Sequence, residues 1–342
     1  MTTNSLSQAS ITQDLGSALI SSEALASFCK ASADPLRLDI LRVLKADSFG
    51  VLELCAILDI KQSALSHHLK VMAKAGLLTT RREGNTIFYR REWPRPDHAT
   101  AQLLTTLYKT VDLLPITKAT QNRLQQVKLQ RAETARAFFA KFADKFRQQQ
   151  ELIAEYDIYA ASLKEVLTTL AIPADSTAVE IGPGEGQFLN VLSPLYSQVI
   201  AVDISQEMLE KAKLFAADQQ LNNIQFIHQE AVEALVTPLT ANCIVMNMVL
   251  HHVPSPAELF IKASEVLIPG GSLLISDLCA HDQSWVQQAC GDMWLGFTEE
   301  EVNGWVQQTD LEPKESLYLG LRNGFQLQVR HFTKPETIMT SN

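Results

Sequence analysis

At 342 residues, 46% hydrophobic and 20% charged, the chain is long enough for two packed domains and a connector. No apolar run is long enough to span a bilayer, and the N-terminal MTTNSLSQAS lacks the basic start and apolar core of a secretory signal. Five scattered cysteines (Cys29, Cys55, Cys243, Cys279 and Cys290) form no CxxC pair, which fits a reducing, cytoplasmic setting. The net charge of −9 is unevenly divided: residues 1–150 hold 21 Lys and Arg against 13 Asp and Glu, and residues 151–342 hold 8 against 25. The first part suits a polyanion and the second repels one.

From Ala33 to Arg91 the chain reads as three helices and a hairpin. In DPLRLDILRVLK (34–45), Asp34 suits the N-cap, Pro35 suits the first helical position, and Leu38, Ile40, Leu41 and Leu44 make an apolar stripe. VLELCAIL (51–58) is a short second helix. QSALSHHLKVMAKAG (62–76) is the third, with Leu65, Leu69 and Met72 on one buried face and Gly76 as its stop. Gln62, Ser63, Ser66, His67 and Lys70 point elsewhere, and such polar groups at a helix start read base edges and phosphates in a major groove. LLTTRREGNTIFYRR then predicts two strands around Glu83-Gly84-Asn85, with Arg81, Arg82, Arg90 and Arg91 lining a basic wing. Between residues 61 and 96, eight Lys and Arg face only Glu83 and Glu92, so DNA binding should fall steeply with salt.

Residues 25–92 resemble the winged helix-turn-helix domain of the ArsR family of bacterial regulators, through DPLRLDIL, QSALSHHLKVMAKAGLL and RREGNTIFYR. The resemblance implies a homodimer on double-stranded operator DNA, with contacts from Gln62, Ser63, Ser66, His67 and His68 and from the wing arginines. Metal-sensing members carry paired cysteines in an ELCVC-type stretch. Here LELCAIL offers Cys55 alone, and a lone Cys on an apolar helix reads as a small buried hydrophobe. A metal-sensing repressor is therefore only the weaker alternative, and no metal ligand is assigned.

AQLLTTLYKT continues as an apolar helix suited to dimer contact. LQQVKLQRAETARAFFAKFADKFRQQQ (124–150) has no Gly or Pro and predicts one long helix. Phe138, Phe139, Phe142 and Phe146 recur on it at helical spacing and read as packing against the next domain rather than as a ligand cage. The expected domains are 20–97, 98–150 and 151–335.

From Val179 strands and helices alternate, the grammar of a parallel sheet. Strands are expected at 177–182, 199–204, 224–229, 243–249 and 272–278, and a final hairpin around Asn323-Gly324 closes the sheet antiparallel. VEIGPGEGQF places Gly182, Gly184 and Gly186 at the end of the first strand, where ligands collect in open α/β sheets. The spacing is GxGxG, not the GxGxxG of a pyrophosphate binder. Glu180, two residues ahead, suits a cationic amino-acid end. Asp203, ending the second strand, can bind both hydroxyls of a ribose, and Glu230-Ala231 after the third can meet an adenine amine.

Residues 150–335 resemble the class I S-adenosylmethionine-dependent methyltransferases, through VEIGPGEGQF, AVDIS and NCIVMNMVLHHVPSPAELFIKASEVLIPGGSLLISDL with its PGG turn at Pro269–Gly271. The resemblance implies a Rossmann-like fold with a mostly parallel seven-stranded sheet, so the whole chain is read as a multidomain α/β protein. It also implies S-adenosylmethionine or S-adenosylhomocysteine as ligand, held by Glu180, Gly182, Gly184, Gly186, Asp203, Ile204, Glu230, Ala231 and Asn247. His251, His252, Asp277, His281 and Asp292 are candidate acid–base groups that form no readable constellation, so no catalytic residue is named. Trp294, Leu295 and Phe297 either roof the acceptor pocket or pack the helix that starts at the Thr298/Glu301 capping box. Two readings stay open: a DNA-binding regulator that also methylates a small metabolite, and a repressor of methionine-cycle or one-carbon genes that only senses the ligand. No (D/N)PP(Y/F) stands at the fourth strand, where a DNA methyltransferase would carry it.

Overall fold

The computed structural model describes residues 20–95, 97–236 and 238–336; the N-terminal MTTNSLSQAS lies outside them. The first region is built from α1 (Ser22–Ser32), α2 (Pro35–Val43), β1 (Phe49–Gly50), α3 (Val51–Leu58), α4 (Gln62–Lys74) and the hairpin β2 (Leu78–Glu83) and β3 (Thr86–Arg91). The starts follow the sequence signals. Asp34 accepts from the Arg37 amide at 3.1 Å with Pro35 at the first helical position, and Gly76 ends α4 in the left-handed region at φ +74°. Leu65, Leu69 and Met72 are fully buried beneath α4. They join Ile40, Leu41, Leu54 and Ile57 in one core, which Leu104, Tyr108 and Val111 of α5 (Ala101–Val111) and Val127 of α6 (Lys118–Phe142) complete.

The expected single helix over 124–150 is interrupted. α6 ends at Phe142, a 3-10 turn covers Ala143–Lys145, and α7 (Phe146–Glu151) resumes. No Gly or Pro causes the break. The Ala143 carbonyl instead accepts from Lys211 Nζ at 2.6 Å, a partner outside the helix.

The second region begins with α8 (Tyr156–Thr169). Strands β4 (Thr177–Ile181), β5 (Gln198–Asp203), β6 (Ile224–His228), β7 (Ala241–Asn247), β8 (Leu267–Leu278), β9 (Glu312–Gly320) and β10 (Gln326–Thr333) form one sheet in the order β6-β5-β4-β7-β8-β10-β9. β4 to β8 pair in parallel, and β10 is antiparallel to both β8 and β9. The parallel strands are apolar on both faces, as helices on each side require: Val179 and Ile244 face one core, Ala178 and Val245 the other. The connecting helices are α9 (Leu189–Leu192), α10 (Gln206–Asp218), α11 (Ala231–Ala234), α12 (Pro256–Val266), α13 (Trp285–Ala289) and α14 (Glu299–Val306). Pro269–Gly271, expected as a turn, is carried inside β8, with Gly270 at φ +77° donating to the Lys334 carbonyl.

The two regions are joined by contact as well as by chain. Arg131 of α6 is the main pin. Its guanidinium meets both Glu53 carboxylate oxygens, at 2.7 and 2.6 Å, and the Ser48 carbonyl on the first region, and the Pro254 carbonyl at 3.1 Å on the second. It lies over Phe49, Phe88 and Trp294, so aromatic rings from both sides box it. One turn earlier Lys128 bridges Asp47 and Glu258. Trp93 packs directly on Gly304, where any Cβ would overlap the indole.

Candidate functional site

On α4, Gln62, Ser63, Ser66, His67 and Lys70 are all exposed, clear of the buried stripe. His68 is half-buried and turns back toward Asp34, 3.8 Å away. The wing departs from expectation. Arg81 bonds Glu83, the Gly296 carbonyl and Glu301, the last at 3.0 and 3.1 Å, and stacks over Trp294 and Phe297. It therefore faces the second region instead of an open groove. Arg90 stacks on Trp93 near Glu301, and Arg91 is buried against the Leu41 carbonyl and Asp112. Arg82 alone of the four is exposed. A strand alternates faces, so residues 81 and 83 turn inward together while residue 82 turns out. Trp294 and Phe297 serve this same contact and line the cavity between the regions, not the cofactor cleft.

The cleft lies at the C-terminal ends of β4, β5 and β6. After β4, Gly182, Gly184 and Gly186 have φ of +66°, +58° and +90°, backbone that L side chains rarely adopt. At Gly186 a Cβ would also press on Ala212 of α10 at 3.0 Å. The Gly182 amide donates to the Val202 carbonyl, which lays the loop over β5. Asp203 accepts from the Ser205 amide at 2.8 Å. Ser205 caps α10, so the acid sits between a helix start and the glycine loop. Glu230 caps α11, accepting from the Val232 and Glu233 amides. Asn247 at the end of β7 accepts from Ser276.

Two adjoining cavities of about 70 Å³ each occupy this cleft. One is lined by Gly182, Gly184, Asp203, Ile204, Glu230 and Ala231, the other by Glu180, Gly182, Gly184 and Asn247. Eight of the nine residues expected to hold the cofactor thus converge on one place. Gly186 is the exception: it turns the loop onto α10 and lines neither cavity. Phe146 lines both cavities, near Gly184, and Phe139 lines the first. The phenylalanine run does pack on the second region, yet two of its rings are also walls of the cleft, a role that helical spacing alone does not reveal.

Burial sets the charge of the cleft. Glu180 is fully buried, one of its oxygens has no partner, and it lies near Asp203. Desolvation first, and Asp203 second, push its carboxyl up to about 8. Desolvation also raises Asp203, to about 7, against the pull of amides from Ser205, Ile204 and Gly184. Each acid is thus poised to ionise fully when a cation arrives.

Beside the first cavity the fold gathers residues that the sequence left scattered. His251 and His252 sit on a 3-10 turn after β7, Asp277 ends β8, and Asp292 follows α13. All four are buried. His251 Nδ1 donates to Asp277 at 2.8 Å, and Asp277 also accepts from the Leu250 and Leu278 amides. Asp277 is thereby both a cap and an orienting group. His281 lies apart from this group, its Nδ1 accepting from the Gln283 amide, and its ring is pushed down to about 4 by burial.

Residues 146–313 match the family model described as "Methyltransferase domain", and residues 33–81 match "Helix-turn-helix domain". Among curated proteins, the chain is 26% identical over 160 residues to a ubiquinone biosynthesis O-methyltransferase of Serratia proteamaculans, an alignment covering 42% of this chain and 66% of that one. It is 28% identical over 161 residues to the Albidiferax ferrireducens protein of the same name, covering 45% of this chain and 63% of that one. The chain thus spans just under two thirds of the length of these relatives. Among solved structures, the N-methyltransferase NodS of Bradyrhizobium japonicum in complex with S-adenosyl-L-homocysteine is similar at 17% identity and TM-score 0.43, over 56% of this chain and 99% of that one. The chain joins a helix-turn-helix domain to a methyltransferase domain.

Proposed function

We propose that the protein is a DNA-binding regulator of the ArsR type whose methyltransferase domain binds S-adenosylmethionine and transfers its methyl group to a small acceptor. The observation that carries this reading is the convergence of Glu180, Gly182, Gly184, Asp203 and Glu230 on one cleft. The buried Glu180 suits a cationic end and the half-buried Asp203 a ribose. The name of the curated relatives, an O-methyltransferase, supports an oxygen acceptor. Isothermal titration of the full chain with S-adenosylmethionine and S-adenosylhomocysteine tests the cleft, and transfer of labelled methyl groups to acceptors in a cell extract tests the chemistry. Absence of binding by either ligand would discard both.

A second reading, that ligand occupancy is sensed by the DNA reader, is favoured by Phe146. The ring stands where the two cavities meet, and a nucleoside carrying an amino-acid tail needs both cavities together. Ligand entry therefore shifts the α6–α7 junction, and α6 carries the Arg131 pin to the reader. Such a shift acts on DNA affinity only through a difference in ligand affinity between the two states. An operator gel shift with and without S-adenosylhomocysteine decides it; unchanged affinity overturns the sensor. Exposed Leu25, Leu103 and Leu113 on and beside α1 and α5 support a homodimer, and five unpaired cysteines support a cytoplasmic setting.

A further inference from the structure

Beside the cofactor cleft, four buried polar atoms have no hydrogen-bond partner among the described residues: Nε2 of His251, Nε2 of His252 and both carboxylate oxygens of Asp292. Each such orphan is costly, the more so when charged. The outer ring nitrogens are already committed. His251 Nδ1 donates to Asp277 at 2.8 Å, and His252 Nδ1 donates to the Gly291 carbonyl at 3.3 Å. With those hydrogens in place and the rings neutral, as metal ligands must be, all four orphans are acceptors. Water brings only two donors, whereas a cation can answer one acceptor atom on each of the three residues at once. His252 Nδ1 stands 4.0 Å from Asp292 Oδ1, too long for a hydrogen bond, so that ring does not satisfy the carboxylate.

We propose that His251, His252 and Asp292 form a binding site for a divalent first-row transition ion, Zn²⁺ by ligand type. Each residue offers one donor atom within 4.8 Å of the other two. Donors around a tetrahedral ion at about 2.0–2.1 Å lie about 3.4 Å apart, so small side-chain turns close the triangle. Two imidazoles and a carboxylate suit Zn²⁺, and three protein ligands leave a coordination position open. The Asp277–His251 bond is the outer support that metal-binding histidines receive. His252 also lines the cavity with Asp203 and Glu230, so the open position lies on the acceptor side of the cleft. That placement rests on the cleft being the methyl-donor site; the ion site itself does not.

The test uses the full chain, stripped by chelator and titrated with Co²⁺. The expected result is visible d–d absorption of low-coordinate Co²⁺ that saturates at one equivalent and is displaced by Zn²⁺. Asp292→Asn, nearly isosteric, should abolish the absorption while circular dichroism stays unchanged. Asp277→Asn should weaken Co²⁺ binding by about 10–100-fold through the loss of outer support. Absorption no stronger than that of aqueous Co²⁺, or affinity unchanged in both variants, overturns the site. S-adenosylhomocysteine, its own binding followed by calorimetry, should perturb the Co²⁺ bands. If it binds and leaves them unaltered, the placement beside the acceptor is wrong; if it does not bind at all, the cleft reading fails while the ion site stands.

Discussion

The molecule's two candidate recognition surfaces rest on opposite electrostatic arrangements. On α4 the polar and basic groups Gln62, Ser63, Ser66, His67 and Lys70 stand in water, where salt screens them. In the cleft Glu180 and Asp203 are withdrawn from water, where salt reaches them poorly and protons compete for them. The reader should therefore respond to ionic strength and the cleft to pH. The wing belongs to neither class: all four of its arginines look like the reader's in the sequence, but Arg81, Arg90 and Arg91 are packed into the fold and only Arg82 of the four is exposed.

The largest effect expected on this contrast is Asp203→Ala. Losing two charge-assisted hydrogen bonds costs about 3–5 kcal/mol, a factor of about 10²–10³ or more in cofactor Kd. Operator affinity of the ligand-free protein should stay unchanged. Calorimetry beside a gel shift reads both, and undiminished cofactor affinity would end the ribose assignment.

Arg131→Ala breaks the contrast at its joint. It removes a buried cation that holds Glu53 and the Ser48 and Pro254 carbonyls together. The expected cost is about 3 kcal/mol, the low end for a broken buried pair, because Glu53 keeps some contact with water. Denaturant unfolding should resolve into two transitions where the parent shows tighter coupling. A midpoint unchanged from the parent would show that the pin contributes nothing.

A smaller effect separates the two neighbouring wing arginines. Arg82→Ala should weaken operator binding and reduce the slope of log affinity against log salt by about one. Arg81→Ala should leave that slope alone, since its guanidinium is spent on Glu83, Glu301 and the Gly296 carbonyl. Equal slope changes for both would mean that the wing swings free of the methyltransferase domain on DNA.

The difference between those two residues marks where the sequence stops being legible. Helix α4 could be read because its stripe of Leu65, Leu69 and Met72 fixes which residues face out. The alternating strands and the glycine loop could be read because each rests on local chemistry: apolar runs, closely spaced glycines, acids at strand ends. Alternation along β2 also fixes that Arg81 and Arg82 point oppositely, yet nothing local says which face a distant domain covers. The partners of Arg81 are some 215 and 220 residues away in sequence. The same limit hides the group of His251, His252, Asp277 and Asp292, whose members come from the turn after β7, the end of β8 and the loop after α13, which only the sheet brings together. The break at Ala143 is invisible for a like reason, since the lysine that takes the carbonyl belongs to α10.

The smallest effect, and the one most specific to the cleft, concerns protons. Glu180 has a folded-state pKa of about 8, above its ordinary value. The folded protein therefore holds a proton there that the unfolded chain has lost, and stability falls as pH rises from about 4.5 toward 8 before levelling. Glu180→Gln should flatten this slope and raise stability above pH 8 by a few kcal/mol at most. Ligand binding carries the opposite sign. A cationic amino-acid end favours the ionised acid, so cofactor binding near neutral pH should release protons and tighten as pH rises to about 8. Calorimetry in buffers of different ionisation enthalpy measures that release directly. Glu180→Gln should lower it. A release unaltered by the substitution would mean that the buried acid does not face the ligand's charge.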